Sequence, residues 1–159
     1  MIKNYLWIFL ISMVPLIELR GAIPVSQALQ MPIIPSYIVS IIGNMLPVPV
    51  IYFFARKVLE WGADKKFIGK IFTAILVKGT NAGQKIQEKA GKGFFIALFL
   101  FVGIPLPGTG AWTGTLAASL LGLSFKETVI AVILGVLLAG LIMMAGSFGL
   151  FSALFAISG

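Results

Sequence analysis

Two residues of opposite charge, Glu18 and Arg20, lie two positions apart in the otherwise apolar segment PLIELRGAIP, residues 15–24, which we call the first polar segment. A charge at bilayer depth costs about 2.5 to 3.5 kcal/mol on insertion scales and is retained mainly where it is paired or hydrated. Desolvation and a neighbouring arginine act on the protonation of a carboxylate in opposite directions, so Glu18 is a candidate proton-binding group. The planar donor fork of Arg20 suits a phosphate or a carboxylate.

We predict that Glu18 and Arg20 are partners of each other and that they bind a substrate or a proton, together with Gly21 and Pro24. The alternative is an ion pair that only holds the chain closed or lies among the outer headgroups. Ion pairs are weak evidence of function, so the sequence leaves both interpretations open.

The second polar segment, PLPGTGAWTG at residues 105–114, contains no charged residue but has the composition of an unwound membrane segment. Its glycines permit positive φ and close backbone approach, its threonines can bond freed backbone groups or a ligand, and helix N-termini at such breaks attract anions. We expect Gly108 and Gly110 to lie within the protein near the bilayer midplane, and Trp112 either to line a cavity or to anchor at an interface. The candidate binding residues here are Pro105, Pro107, Gly108, Thr109, Gly110, Trp112 and Thr113.

Two amide residues in apolar surroundings, Gln27 and Asn44, form a second tier of candidates. A lone amide in a membrane helix is more often a contact between helices than a ligand. The chain contains no cysteine and no histidine, which removes disulfides, thiolate nucleophiles, the usual transition-metal ligands and the commonest general base. We therefore predict no metal, no cofactor and no enzyme activity, since the remaining groups supply no combination of nucleophile and base.

The overall composition indicates an integral membrane protein of one domain. Of the 159 residues, 59% are hydrophobic and 11% are charged, and the mean hydropathy is +1.06. Six of the seven net positive charges come from residues 56–92, which include nine basic and three acidic residues. Because these cations flank bilayer-length apolar segments, the positive-inside rule explains them, and we expect no nucleic-acid binding.

The apolar segments fall into two classes of length. Residues 35–55 and 128–148 each match the roughly 20 helical residues that a hydrocarbon core about 30 Å thick requires, and both are predicted to span the membrane. Residues 5–17 and 93–104 are shorter, and as helices they reach about the middle of a bilayer. Each short segment runs directly into one of the two polar segments.

After each polar segment the chain continues in a second short apolar stretch, residues 25–31 or 115–123. This pattern predicts two re-entrant helical hairpins, each followed by one full span. An offset of 90 residues places Pro15 on Pro105 and repeats the same order of elements. Since a hairpin returns to its own side and a full span does not, the two copies enter from opposite faces, as in the inverted repeats of secondary transporters.

The predicted fold is therefore an all-α integral membrane protein built as an inverted repeat. Repeat 1 covers residues 1–57, a basic cytoplasmic connector covers 58–92, and repeat 2 covers 93–159. Within the connector, KKFIGKIFTAILVKG places its apolar residues on one helical face, which predicts an interfacial amphipathic helix. That face consists of Phe67, Ile68, Ile71, Phe72, Ile75 and Leu76, with Lys66, Lys70 and Lys78 toward its borders.

The orientation that follows has both termini outside and the connector inside, and single cysteines placed in this cysteine-free chain can test it. We expect a cysteine at position 85 to react with an impermeant reagent only from the inside, and one at position 158 only from the outside. Labelling of position 85 from the outside would show that the orientation is reversed.

The strings PLIELRGAIP and IPLPGTGAWTGTLAA resemble the signature segments of the small multidrug export protein family, and the resemblance extends over nearly the whole chain, including the connector and ILGVLLAG. That family is similar in turn to the larger DedA/VTT superfamily, whose members have paired re-entrant hairpins. The resemblance implies translocation of a lipid or lipid phosphate coupled to an ion gradient. Glu18 matches the acidic residue of the first DedA hairpin, whereas the second polar segment lacks the arginines usual there and leaves Arg20 as the buried cation.

We therefore predict a multi-pass transporter of a prokaryotic plasma membrane that moves a lipid phosphate or another amphipathic small molecule, coupled to protons or Na⁺. The alternative is a protein of membrane organisation or assembly that transports nothing. The expected partners are the substrate, the coupling ion and membrane lipids. The small-residue spacing Ala145, Gly149 and Ala153 permits close helix packing, either within the monomer or across a homodimer.

Overall fold

The structure, a computed structural model, describes residues 2–74, 76–77, 81 and 93–158, with the backbone alone described for residues 150–158. Within these residues every long regular element is an α-helix, as predicted. In chain order the helices are α1 (Ile2–Met13), α2 (Glu18–Ala28), α3 (Ile33–Met45), α4 (Pro47–Ala63), α5 (Gly93–Gly103), α6 (Ala111–Leu120) and α7 (Phe125–Ser158). A pair of short helices followed by a long helical unit occurs twice.

The two long helical units contain both predicted spans. Residues Ile33–Ala63, formed by α3 and α4, and residues Phe125–Gly149 of α7 are long and apolar enough to cross a membrane by length and composition. The first unit is interrupted at Leu46, because Pro47 and Pro49 have no N–H to donate to the carbonyls one turn earlier. The interruption therefore lies near the middle of this unit.

The first pair of short helices turns earlier than the sequence predicted. The sequence predicts the turn at residues 15–24, but α2 begins at Glu18, and the first loop comprises residues 14–17. The N–H of Glu18 donates to the Val14 carbonyl at 3.0 Å, and Leu16 closes the turn with a φ of 69°. Gly21 lies directly against this loop, since an added Cβ would come within 2.4 Å of the Ile17 side chain. Pro24 is therefore inside a helix.

The second pair of short helices follows the prediction at one end and departs from it at the other. Helix α5 ends at Gly103, within one residue of the predicted boundary. Helix α6 starts at Ala111, four residues before the predicted return stretch, so the second loop comprises residues 104–110. Trp112 and Thr113 thus lie in the first turn of a helix. Re-entry into a membrane and an inverted relation between the two halves both stay predictions.

Helix α7 is the element against which both helix pairs pack. Leu19 and Ile23 of α2 and Val102 of α5 belong to one buried cluster with Val132 and Val136 of α7, each at most 1% exposed. Glycines bring the backbones close together: an added Cβ at Gly135 would come within 2.6 Å of Val102, and one at Gly103 within 2.8 Å of Leu138. This packing places the first loop beside the second.

Two further expectations are only partly covered by the described residues. Ala145 is exposed, and an added Cβ at Gly149 would meet no atom within 4 Å. These two small residues therefore make no close helix contact within the monomer, and a homodimer stays a prediction.

In the connector, residues 69–74 are helical, Phe67 and Ile71 are exposed, and Phe72 packs on Gly62. Ile75 and Lys78 of the predicted amphipathic helix lie outside the described residues.

Candidate functional site

Glu18 is buried, with 2% of the residue exposed. Its carboxylate binds the start of α6. The backbone N–H of Trp112 donates to Oε1 at 3.1 Å, and that of Ala111 donates to Oε2 at 3.3 Å. The first N–H groups of a helix have no partner within the helix, and a negative charge there is favoured by the helix dipole. Glu18 therefore acts as the N-terminal cap of a helix that begins 93 residues further along the chain.

Gly110 is the residue that allows the carboxylate to come this close. Its φ of 139° and ψ of −173° lie in a region that is essentially restricted to glycine. An added Cβ would stand 2.3 Å from Oε2 of Glu18 and 2.6 Å from Oε1. Backbone conformation and space therefore both require glycine at this position.

The Arg20 guanidinium binds the other side of the second loop. Nη1 donates to the carbonyls of Leu106 at 2.6 Å and Thr109 at 2.8 Å. Nη2 donates to Val102 at 3.1 Å and Ile104 at 3.4 Å. The last carbonyls of a helix have no partner within it, and a cation there is favoured by the helix dipole. Arg20 therefore caps the end of α5 and holds the loop that follows.

The prediction that Glu18 and Arg20 are direct partners is wrong. Among the described residues, the ion pair within 4.0 Å is Arg56 with Glu60, which is exposed on α4. The physical reason is that the Glu18 carboxylate faces the first N–H groups of α6, whereas the Arg20 guanidinium faces the carbonyls at the end of α5. The charge of Arg20 still acts on the Glu18 carboxylate, but each side chain is bonded to a different end of the second loop.

The second polar segment divides into buried and exposed parts. Gly110 is buried, as predicted, whereas Pro107 and Gly108 are exposed. An added Cβ at Gly108 would meet no atom within 4 Å. The prediction that Gly108 lies within the protein is therefore wrong. Gly108 has a φ of 80°, which confirms the positive φ expected there. Pro105 is half-buried beside Ile104, whose carbonyl takes part in the closure of the loop.

The threonines and the tryptophan of this segment have separate roles. Thr109 Oγ1 donates to the carbonyls of Leu106 and Ile104 and so closes the second loop. Thr113 Oγ1 lies 3.5 Å from the Gly110 carbonyl, a contact within its own helix turn. Trp112 reaches Glu18 through its backbone, while its buried indole Nε1 has no hydrogen-bond partner in the protein.

The two amide candidates differ in position. Gln27 lies in the last turn of α2 and donates to the Ser26 hydroxyl at 3.3 Å, away from the second loop. Asn44 is 0% exposed and close enough to interact with the Glu18 carboxylate, yet neither its Oδ1 nor its Nδ2 has a hydrogen-bond partner. Sequence reasoning overlooked Ser40 and Thr115, which are also fully buried with free hydroxyls. The spacing of Ser40 and Asn44, one helical turn apart, was the available signal.

The chemistry open to this arrangement is proton exchange at Glu18, linked to the bond between the first and second helix pairs. Among the described residues no three histidine, cysteine, aspartate or glutamate side chains come together as metal ligands would. Loss of the negative charge on Glu18 would weaken its bonds to α6, because hydrogen bonds to a charged group are roughly twice as strong as neutral ones. Protonation of Glu18 would therefore weaken the contact between the two pairs.

Arg20 provides a direct test of this geometry. We expect Arg20→Lys to lower the unfolding midpoint in detergent, because an ammonium cannot reach the carbonyls of both Thr109 and Val102 as the planar fork does. The exposed Arg56→Lys is the matched control and should change the midpoint little. The double replacement of Glu18 and Arg20 by glutamine should be no more stable than either single variant, since they are not each other's partners. Recovery of stability in the double variant would contradict the assignment.

A model of the family described as putative small multi-drug export protein matches residues 18–142, more than half of the chain. The matched stretch begins at Glu18 and includes all the contacts between the first helix pair and the second loop described above. No curated protein and no solved structure matches the chain.

Proposed function

We propose that this chain, which belongs to the putative small multi-drug export protein family, is a membrane transporter that exports an amphipathic small molecule in exchange for a coupling ion bound at Glu18. The observation that carries the proposal is that Glu18, a carboxylate in an apolar interior, holds the first residues of α6. A buried carboxylate in a membrane protein is by default a functional group, because its cost is otherwise unexplained.

The proposed cycle has two conformations. When Glu18 is ionised it caps α6, and the two helix pairs are held together. When Glu18 binds the coupling ion, the cap weakens and the second helix pair is free to move relative to the first. A ligand shifts such an equilibrium by its differential affinity for the two states, and here the coupling ion is that ligand.

The proposed substrate is amphipathic, and an anionic head such as a lipid phosphate is the form that Arg20 would bind. In the conformation described, both terminal nitrogens of Arg20 are engaged by backbone carbonyls, so an anion would bind after the second loop has moved away. Exposed apolar side chains surround the two loops, with Leu16 73%, Ile17 45% and Leu106 55% exposed. These surfaces are suited to the apolar part of such a molecule.

A second candidate function is membrane organisation without transport. The observation that favours it is the full engagement of Glu18 and Arg20 in helix caps, which is also what a purely structural link between two halves would require. The two functions differ in whether Glu18 must change its charge.

The experiment that separates them uses purified protein in liposomes. We expect transport of fluorescent amphipathic dyes, flipping of a labelled lipid phosphate, or both, when a proton or Na⁺ gradient is imposed. Dissipation of the gradient by an ionophore should stop it. If neither substrate class moves under either gradient, while the reconstituted protein is folded, the transporter proposal is wrong.

A further inference from the structure

Three buried side chains on α3 and α6 have polar atoms without a hydrogen-bond partner in the protein. They are Ser40 and Asn44 of α3 and Thr115 of α6, each 0% exposed. Native proteins satisfy nearly all buried polar groups, and each exception requires an explanation such as a bound water or ion. Other buried hydroxyls do not share this condition: Ser36 donates to the Pro32 carbonyl at 2.8 Å.

Ser40 and Asn44 are adjacent on one face of α3. Residues four apart on a helix are neighbours on the same side, so the Ser40 hydroxyl lies one turn from the Asn44 amide. Asn44 is in turn close enough to the Glu18 carboxylate to interact with it. The two unpartnered side chains therefore form a polar line that ends at Glu18.

Thr115 is on α6, on the other side of Glu18 from Ser40. Glu18 brings the start of α6 to the level of Asn44, and further along the Ser119 hydroxyl donates to the Tyr52 carbonyl at 2.7 Å. Helix α6 thus runs beside α4 in the same direction. Thr115 is four residues from the start of α6, which places it about 6 Å along the axis from the carboxylate's partners.

The unpartnered atoms specify what occupies this place. The Asn44 amide can both donate and accept, and neither of its polar atoms has a partner within hydrogen-bonding geometry. A metal cation would satisfy the oxygens alone and would leave these N–H groups without partners. Arg20, whose positive charge acts on Glu18, also opposes a second cation here. Water both donates and accepts, and typically makes about three hydrogen bonds to otherwise unsatisfied buried groups.

We propose that Ser40 and Asn44 on one side of Glu18, and Thr115 on the other, hold a cluster of buried waters, and that protons reach the carboxylate through this cluster. The inference rests on the proposed function and deepens it, because it makes the coupling ion a proton and assigns its path. The water cluster itself depends only on the unpartnered groups.

The charged residues of the helices around Glu18 take no part in the proposed proton path, which consists of neutral side chains and water. Arg20 is on its own helix and is bonded to the second loop. Of the helices packed against α2, α3 contains no charged residue, α1 contains Lys3 at its far exposed end, and α7 contains Lys126 and Glu127 in its first turn. Helix α6, whose start binds the carboxylate, contains none.

The first test measures water at Ser40 without measuring transport. The chain has no cysteine, so a single thiol gives a unique S–H band in the infrared spectrum. We expect the thiol of Ser40→Cys to exchange with D₂O on the order of tenfold faster than that of Val136→Cys, which lies fully buried in the apolar cluster and exchanges only on local opening. Equally slow exchange at the two positions would overturn the water cluster.

The second test measures proton delivery in the liposome assay. Asn44→Leu keeps the size of the side chain and removes its polar atoms, and we expect proton-driven transport to slow at least about tenfold. Asn44→Ser, which still binds water, should restore most of the rate. Ser36→Ala is the matched control on the same helix face, and it should behave as the wild type because its hydroxyl is bonded to Pro32.

The outcomes separate the two proposals. A wild-type rate in Asn44→Leu would overturn the proton path. Transport driven by Na⁺ alone would also overturn the proton path. Fast thiol exchange at Ser40 in a protein that transports under neither gradient would refute the proposed function and would support the water cluster alone.

Discussion

Glu18→Gln is expected to abolish gradient-driven transport while the protein still folds and inserts. Like the protonated carboxyl, the amide keeps the shape of the side chain and one oxygen that can accept from Ala111 or Trp112, so the protein still folds with a weakened cap. It has no charge and cannot titrate, so the cap can no longer be switched. We expect the free energy of unfolding to fall by about 1 to 2 kcal/mol, the range for losing a favourable charge at a helix start.

Liposome transport and thermal unfolding in detergent measure the two parts of this prediction. The matched control is Glu60→Gln, which removes an exposed partner of Arg56 on α4 and should alter neither property. Glu18→Asp tests whether the carboxylate must reach the α6 backbone, because the shorter side chain still titrates but falls short of those N–H groups. Full transport by Glu18→Gln would show that the residue is a structural cap and would favour the organising role.

The identity of the candidate site was accessible from the sequence, but its geometry was not. A glutamate and an arginine in an apolar segment stand out because of their cost in lipid, and this cost alone marked Glu18 and Arg20. Their partners, in contrast, are backbone groups more than 80 residues away. Local spacing contains no information about such contacts, and it suggested the nearest opposite charge instead.

The boundary of α2 shows how local composition misled the prediction. Gly21 and Pro24 are typical of turns, so residues 15–24 were read as one. In the structure Gly21 is needed because Ile17 packs against it, and Pro24 lies inside α2. Proline within a helix removes one backbone bond, and the cost is tolerated where neighbouring helices and side chains compensate it. Tertiary packing therefore decided the element.

Asn44 is the opposite case: the sequence identified the residue but ranked it as a second-tier binding candidate. A single amide in a membrane helix usually bridges two helices, which was a sound expectation. Only the packed structure shows that its amide has no partner and that Ser40 and Thr115 share this condition. Ser40, Asn44 and Thr115 lie on two different helices, so this set of unpartnered side chains cannot be recognised within a single segment of the sequence.

Gly110→Ala is expected to be among the most damaging single substitutions in the chain. A non-glycine residue at a φ of 139° and a ψ of −173° costs about 1 to 3 kcal/mol in backbone strain. The new methyl group would also stand 2.3 Å from Oε2 of Glu18, so the carboxylate must leave the N–H groups of α6. Losing those charged hydrogen bonds adds about 1.5 to 3 kcal/mol. Since native stability is only about 5 to 15 kcal/mol, we expect a large loss of folded protein and of transport.

Gly108→Ala separates the two contributions to this loss. Gly108 also has a positive φ, 80°, but an added Cβ meets no atom within 4 Å, so this variant should show strain alone and a smaller fall in the unfolding midpoint. Glu18→Ala provides the second half of the test, because it removes the carboxylate that the new methyl group would displace. On that background Gly110→Ala should cost less than it does in the wild type, a departure from additivity expected for residues in contact. Strict additivity of the two changes would show that Gly110 does not act through Glu18.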